Sequence, residues 1–359
     1  MASSLETTFS REWLRRGALA CVLWPLSLLF RGLAAVRRGL YALGVSHAER
    51  LPVPVVVVGN IFIGGTGKTP LTIWLVDALR AAGFRPGVVS RGFGSKDAAP
   101  REVSAVSTPA EVGDEPVLIA ARTGCPVFVG RARMAAGEAL LAAYPEVNVI
   151  VTDDGLQHYA LARDIEIVLF DGRGVGNGWT LPAGPLREAP SRKRDFTVVN
   201  APELTAALCT AIAPPGAARG GAPAAPWQMR LAGDVAERLA ERSERMTLAE
   251  LARRAGQGDG LRVAAAAGIG NPGRFFAMLR TAGLEPQELP LPDHHDFKDR
   301  PFANVEADFI LVTEKDAVKC WQIEELRNDP RIWVVPVSAR IDAALADQIV
   351  EKLRGRTPA

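Results

Sequence analysis

The apolar run Pro54-Val55-Val56-Val57-Val58 leads straight into Gly59-Asn60-Ile61-Phe62-Ile63-Gly64-Gly65-Thr66-Gly67-Lys68-Thr69-Pro70, and this junction constrains the fold more than any other segment. A β-branched run of this kind predicts a buried strand, and Leu71 to Arg80 carries the period of a helix. Strand, glycine loop and helix in that order make a phosphate-binding loop. Glycine opens backbone angles closed to other residues and removes side chains that would hold an anion away. Consecutive amides and the helix N-terminus can then point at phosphate. Lys68 supplies a mobile charge for the β- and γ-oxygens, and Thr69 a hydroxyl for Mg²⁺. The candidate nucleotide-binding residues are therefore Phe62, Ile63, Gly64, Gly65, Thr66, Gly67, Lys68 and Thr69, with Lys68 also a catalytic candidate. In the usual spacing G-x-x-x-x-G-K-[ST] the first glycine falls on Phe62, so Gly64 and Gly65 are expected to supply the flexibility instead. A glycine-rich turn that merely joins strand to helix is the plainer reading. Gly-Lys-Thr in this context argues against it.

The chain has 359 residues, length for about two domains. Its 48% apolar and 23% charged fractions exclude wholesale disorder. Lys and Arg number 42 against 40 Asp and Glu, a net charge of +2 that argues against a general nucleic-acid binder. The excess is concentrated: residues 1–50 hold Arg11, Arg15, Arg16, Arg31, Arg37, Arg38 and Arg50 against Glu6, Glu12 and Glu49. Between the arginine groups Ala18 to Phe30 has no charge. That run is short of the roughly 20 apolar residues a membrane span needs, and Phe30-Arg31-Gly32 makes a poor signal-peptide cleavage site. Flanking arginines, with Trp13, Trp24 and Tyr41 for the headgroup layer, suit a helix lying in an anionic membrane surface. An ordinary N-terminal helix packed on the domain is the other reading. Cys21, Cys125, Cys209 and Cys320 form no C-x-x-C pair and no evident disulfide framework.

After the first helix, Pro86–Ser90, Val147–Val151 and Ile165–Phe170 predict further strands, with helical stretches such as 131–143 between them. The alternation predicts an α/β fold, a doubly wound and mostly parallel sheet with its ligands at the strand C-termini. Residues 210–226 are almost wholly Ala, Pro and Gly and read as a linker or exposed loop. A second, smaller α/β domain follows, with strands near 262–267, 308–312 and 332–337. The expected division is an N-terminal membrane-associating helical segment at 1–45, a P-loop core at 46–209, the linker at 210–226, and a C-terminal α/β domain at 227–359.

Asp153-Asp154 closes a buried strand, where P-loop enzymes place the carboxylate that holds Mg²⁺ directly or through water. Two adjacent carboxylates repel unless a cation or donor compensates them, although an Asp capping a turn would look the same. Asp114-Glu115 precedes a helical stretch and reads most simply as an N-cap followed by a first-turn acid. Asp293-His294-His295-Asp296 is either a solvated loop or an imidazole brought to a carboxylate. The segment from Gly172 to Glu188 is too rich in Gly and Pro for regular structure; Arg173 and Arg187 in it suit a phosphate. Thr313-Glu-Lys-Asp-Ala-Val-Lys319 reads as a capped, charged helix start.

Taken together, Val58–Pro70, Ser90-Arg-Gly-Phe-Gly94, Gly113-Asp-Glu-Pro116, Asp153-Asp-Gly-Leu-Gln-His158, Arg163-Asp164, Gly176-Asn-Gly178, Leu181-Pro-Ala-Gly-Pro-Leu-Arg-Glu188, Gly268-Ile-Gly-Asn-Pro272, Asp293-His294 and Thr313–Lys319 closely resemble the tetraacyldisaccharide 4′-kinase (lipid A 4′-kinase) family of Gram-negative bacteria. The resemblance implies transfer of the ATP γ-phosphate, with Mg²⁺, to the 4′-hydroxyl of a tetraacylated glucosamine disaccharide 1-phosphate. It places the enzyme, peripheral or monotopic, at the cytoplasmic face of the inner membrane, with the lipid A disaccharide precursor and an anionic membrane surface as partners and no nucleic acid. It also implies that Asp114 accepts the hydroxyl proton, paired with His294. Carried onto the matching strings, it makes Thr69, Glu115, Asp153 and Asp154 the candidate metal ligands and Arg91, Asn177, Arg187 and Glu188 the candidate substrate contacts. Two rival classes remain at this stage: a membrane-associated P-loop ATPase that switches a protein partner, and a lipid-binding module with a nucleotide site that is only structural.

Overall fold

The computed structural model describes residues 12–92, 99–213, 225–256 and 261–355. The first element is helix α1 (Ala18–Ala42). Strand β1 (Val55–Asn60) has all six residues buried and runs parallel to two neighbours, as a continuous β-branched run requires. The chain continues through α2 (Lys68–Ala81), β2 (Pro86–Ser90), β3 (Arg101–Glu102), α3 (Pro109–Val112), α4 (Asp114–Thr123), β4 (Val127–Val129), α5 (Arg133–Ala143), β5 (Val149–Asp153), β6 (Ile165–Asp171), β7 (Phe196–Asn200) and α6 (Ala206–Ile212). Then follow β8 (Trp227–Ala232), β9 (Val235–Arg238), β10 (Arg245–Thr247), α7 (Leu248–Gly256), β11 (Val263–Ala267), α8 (Pro272–Thr281), β12 (Gln287–Pro290) and β13 (Phe309–Thr313). The last elements are α9 (Glu314–Cys320), α10 (Glu324–Arg327), β14 (Ile332–Val335), β15 (Ser338–Ile341) and α11 (Ala343–Arg354).

Two sheets result, nine strands in the order β15-β8-β7-β6-β1-β5-β2-β4-β3 and six in the order β10-β9-β14-β13-β11-β12. The first carries an apolar core on each face: one gathers Leu75, Leu79, Ile119 and Leu353 from α2, α4 and α11, the other Leu140 and Ile212 from α5 and α6. In the second sheet Leu251, Phe276 and Leu279 of α7 and α8 pack on one face, and Ala317, Cys320 and Leu326 of α9 and α10 on the other. Strand pairing divides the chain elsewhere than at residue 226. β8 joins the first sheet beside β7, and β15 returns from the second sheet to pair with β8 antiparallel. Helix α11 returns with it, burying Leu345, Ile349 and Leu353 in the first core. The physical reason is that β8 and β15 close the open edge beyond β7, a placement no local pattern reveals. The chain therefore crosses between the sheets twice, at 233–234 and at 336–337. The crossings touch, for a Cβ on Gly233 would lie 2.8 Å from the Pro336 carbonyl oxygen. Of the Ala/Pro/Gly stretch, residues 210–212 end α6 and 214–224 lie outside the described residues.

Helix α1 is 25 residues long, well beyond the uncharged run, and by length and composition alone reaches what a membrane span needs. Most of it is exposed, including Val22, Leu26, Leu29, Leu33 and Val36. One stripe is docked. Ser27 near its middle is buried, donates to the Thr180 carbonyl (2.7 Å) and accepts from Ala183 N–H (2.9 Å). Trp24 packs on Trp179 at 6.2 Å and Tyr41 on Tyr159 at 5.8 Å.

Candidate active site

The phosphate loop enters from β1 and ends at α2. Gly64 (φ 95°) and Gly67 (φ 102°) hold left-handed backbone angles, and Gly67 is the residue immediately before α2. Lys68 Nζ lies 3.2 Å from Asn60 Oδ1 and 3.9 Å from Asp154 Oδ1, while Asn200 donates to the Thr66 carbonyl at 2.9 Å. Phe62 and Ile63 serve the loop from beneath. The Phe62 ring is buried in the core with Arg173 stacked 4.2 Å away, and Ile63 N–H is spent on the Pro185 carbonyl at 2.9 Å. Of the eight nucleotide-binding candidates these two do not line the cavity described below, the loop being tied down at this end by the segment before Leu186.

Asp153 is fully buried at the end of β5. Thr72 Oγ1 donates to its Oδ1 at 3.2 Å, but its Oδ2 has no hydrogen-bond partner. Burial raises its pKa well above the carboxylate range, the charge of Glu115 adds to this, and Lys68 opposes it. At Asp154 (φ 54°) burial acts the same way, but Lys68 and Arg187 outweigh it and hold the group low. Arg187 Nη1 reaches both oxygens of Asp154 at 3.0 Å. An orphaned buried carboxylate oxygen, a second carboxylate beside it and a hydroxyl at the first turn of α2 form a donor set that fits Mg²⁺. Such an ion usually takes one or two carboxylates and completes its shell with water and phosphate oxygens. Among the described residues no three His, Cys, Asp or Glu side chains converge as a closed cage.

Asp114 begins α4 and is 5% exposed, although the sequence made a solvated cap the simpler reading. Its Oδ1 accepts from Glu115 N–H at 3.0 Å, and its Oδ2 lies 3.0 Å from His294 Nδ1. Burial would raise its pKa. The His294 hydrogen bond and the charges of Lys315 and Lys319 overcome that and hold it at about 2. His294 (φ 60°) is shifted upward by its bond to Asp114, with burial and Lys315 opposing.

The remaining candidates separate. Asn177 is buried and internally satisfied: its amide donates to the Ala183 and Arg15 carbonyls and accepts from Trp179 N–H. It is a bracket between loop and N-terminus with no donor left for substrate. Glu188, 4% exposed, accepts from Arg192 (2.6 Å), Tyr159 (2.7 Å) and Gln157 (3.0 Å), a closed network that likewise holds the loop. Arg173 is taken by Asp171, which also pairs with Arg274 of the second sheet. Arg91 is exposed beyond β2, near His158 and Arg133; Phe93 and Gly94 of its motif lie outside the described residues. His158 is lowered to about 4 by burial and by the charges of Arg133, Arg37, Arg91 and Arg163.

Sequence reasoning passed over Arg274, and it gave Gly270, within one of the family-like strings, no place in the site. Arg274 Nη1 reaches the Thr66 carbonyl at 3.3 Å, and a Cβ on Gly270 would lie 2.4 Å from Gly65 N, so the second sheet's loop lies against the phosphate loop. Only the Gly-rich character of Gly268–Pro272 signals such an approach. Between the two units opens a cavity of about 630 Å³, lined by Lys68, Thr69 and Glu115 at one end and by Phe275, Met278 and Leu118 on an apolar wall. Charge at one end and apolar surface at the other match a nucleotide's phosphates and base.

The sequence matches the Tetraacyldisaccharide-1-P 4′-kinase family over residues 19–354. It is 59% identical over 355 residues to the tetraacyldisaccharide 4′-kinase of Janthinobacterium sp. (strain Marseille), covering 99% of this chain and 98% of that protein. The enzyme of that name from Herminiimonas arsenicoxydans is 58% identical over 364 residues, with the same coverage. The crystal structure of LpxK from Aquifex aeolicus in complex with ATP superposes with a TM-score of 0.71 at 26% identity, over 93% of this chain and 99% of that one. An acidic pair beside a phosphate loop, a carboxylate–imidazole contact and full-length similarity all agree: the chain belongs to the tetraacyldisaccharide-1-P 4′-kinase family.

Proposed function

We propose that this protein transfers the γ-phosphoryl group of ATP to the 4′-hydroxyl of a tetraacylated glucosamine disaccharide 1-phosphate. The observation that carries the reading is the cavity itself, lined by Lys68, Thr69, Glu115 and Lys315, with Lys315 in turn reaching His294 and Asp114. The amides of Gly64 to Lys68 cradle the phosphates, and Lys68 offsets charge that spreads over the transferring group. Thr69, Asp153, Asp154 and Glu115 are the residues that would hold Mg²⁺, which when bound neutralises phosphate charge. Asp114 receives the hydroxyl proton. At about 2 it is a weak base, which suits a loose transition state in which the attacking oxygen gives up its proton late. His294 orients it, and Arg187 remains the best placed of the four substrate candidates, half-buried at the rim of the acidic pair.

The same reading puts α1 in the membrane surface on the cytoplasmic side, with residues 1–45 serving the membrane and 46–209 most of the phosphoryl-transfer site. Burying acyl chains is worth about 0.8 kcal/mol per CH₂, so the enzyme has to meet its lipid there. A spanning helix would carry the Ser27 contact to mid-bilayer and with it loop backbone that lipid cannot satisfy. A surface helix leaves that contact where water and protein meet.

The test is incubation of purified protein with γ-labelled ATP and the lipid disaccharide, with products separated by chromatography. Label on the lipid is expected. ATP hydrolysis that proceeds equally without the lipid would favour a partner-switching ATPase, and no turnover at all a lipid-binding module.

A further inference from the structure

Helix α9 begins as the sequence suggests, with Thr313 Oγ1 accepting from Asp316 N–H at 3.2 Å. Its lysines do more than decorate a helix start. Lys315, its side chain 16% exposed, reaches across from the second sheet's unit to the start of α4. Its Nζ lies 3.3 Å from Glu115 Oε1, 3.4 Å from Asp293 Oδ1 and 3.4 Å from His294 Nε2. Asp114 Oδ2 stands at 3.9 Å. An ammonium group has three hydrogens and no lone pair. Three acceptors surround this one, and the third is a ring nitrogen.

That nitrogen can accept only if it carries no proton. The proton of the neutral ring must then sit on Nδ1, which faces Asp114 Oδ2 at 3.0 Å. The ring has little freedom to answer otherwise. His294 holds a left-handed backbone, its N–H bonded to Asp293 Oδ1 at 3.0 Å and to the Gly268 carbonyl at 3.2 Å. Lys319, one turn further along α9, stands 3.7 Å from Asp114 Oδ2 and 3.2 Å from Asp316 Oδ1, closing the carboxylate's other side.

We propose that Lys315 is a positioning residue for the base: by donating to His294 Nε2 it fixes the Nδ1–H tautomer and so turns the imidazole N–H onto Asp114. The inference rests on reading Asp114 as the acceptor of the hydroxyl proton, and it ties the tautomer to the seating of α9 against α4. With Lys315 in place the neutral ring keeps its proton on Nδ1, toward Asp114; Lys315→Met removes the donor that holds Nε2 as an acceptor.

The full-length protein labelled with ¹⁵N-histidine reports the tautomer directly, the His294 signals being assigned by their loss in His294→Gln. At a pH where the ring is neutral, the parent is expected to show a protonated Nδ1 and a lone-pair Nε2. Lys315→Met should move the ring toward Nε2–H and lower kcat at least about tenfold, a share of what a positioned base contributes. Lys315→Arg, which keeps a cation beside Glu115 at the cavity wall, should restore the tautomer and most of kcat. A protonated Nε2 in the parent overturns the proposal, as does a Lys315→Met protein with unchanged tautomer and kcat. If Lys315→Met fails to fold by circular dichroism, the parent's tautomer alone decides. Failure of the base reading looks different: Asp114→Asn would then keep its turnover whatever the tautomer.

Discussion

Asp114 and His294 meet at 3.0 Å across 180 residues of sequence, one at the first turn of a helix on the nine-stranded sheet and the other on a loop of the six-stranded one. Neither unit holds the pair alone. The contact therefore depends on the two sheets being seated together, as the crossings at 233–234 and 336–337 allow.

If the two side chains act as one unit, their losses will not multiply. Asp114→Ala combined with His294→Ala should be scarcely slower than the worse single variant. Steady-state kcat/KM for the four proteins decides it, and fully multiplicative losses would refute the pairing.

Lys68→Ala and Thr69→Ala should each cost on the order of 10³-fold in phosphoryl transfer, several kcal/mol of transition-state stabilisation. Lys68 ends among polar partners and Thr69 opens α2 at the cavity, so the fold should survive either change. Near-parental turnover in a variant with normal circular dichroism would remove the loop from the mechanism.

The raised proton affinity of His294 has a stability consequence whose sign follows from linkage. Its bond to Asp114 lifts it above the ordinary 6.5, with burial and Lys315 opposing. A group lifted on folding adds stability that is complete below its unfolded value and lost as pH rises through the folded one. The Tm gap between the parent and His294→Gln should thus be widest below about pH 6 and shrink from about pH 7 upward. A gap independent of pH would mean that the protonated pair contributes nothing.

Arg192 is 7% exposed and holds Glu188 at 2.6 Å together with Glu166. Removing it leaves the buried Glu188 without its cation, while Glu166 keeps Arg163 at 3.0 Å, so Arg192→Ala should destabilise by about 3 kcal/mol, read as a lowered denaturant midpoint. Glu188→Gln should be much milder. If Glu188 touched substrate instead, the second change would raise KM for the lipid and leave stability alone.

For α1, a surface helix held partly by Arg16, Arg31, Arg37 and Arg38 gains about 1 kcal/mol per basic residue near anionic headgroups, a share that salt screens. High salt or carbonate should release at least part of the full-length protein from membranes. Release by detergent alone would show a deeper insertion than a surface helix makes.

Legibility in the sequence followed the range of the interactions involved. The strand, loop and helix around Lys68 could be read because their signals are contiguous: a β-branched run, glycines, then a 3.6-residue period. β2, β5 and β6 were legible for the same reason. β15 and α11 were not, because a short mixed strand and an amphipathic helix say nothing about which sheet they complete. The same limit hid the burial of Asp114, which in isolation is indistinguishable from a cap. Asn177 and Glu188 misled in the opposite sense: polar side chains in a glycine-rich loop looked available for ligand, and the folded chain had already spent them on itself. The resemblance in sequence supplied what locality withheld, pairing Asp114 with His294.

The contact between Ser27 and the loop at Thr180–Ala183 also sets a height. That loop leads within a few residues to Arg187 and through it to Asp154, so on the proposed reading of α1 as a surface helix its depth would fix how far the phosphate loop stands above the lipid headgroups. On that reading the protein would work as a gauge of constant standoff. The sugar has only to rise by that distance while its acyl chains stay in the leaflet, and lengthening the chains would leave the geometry of phosphoryl transfer as it was.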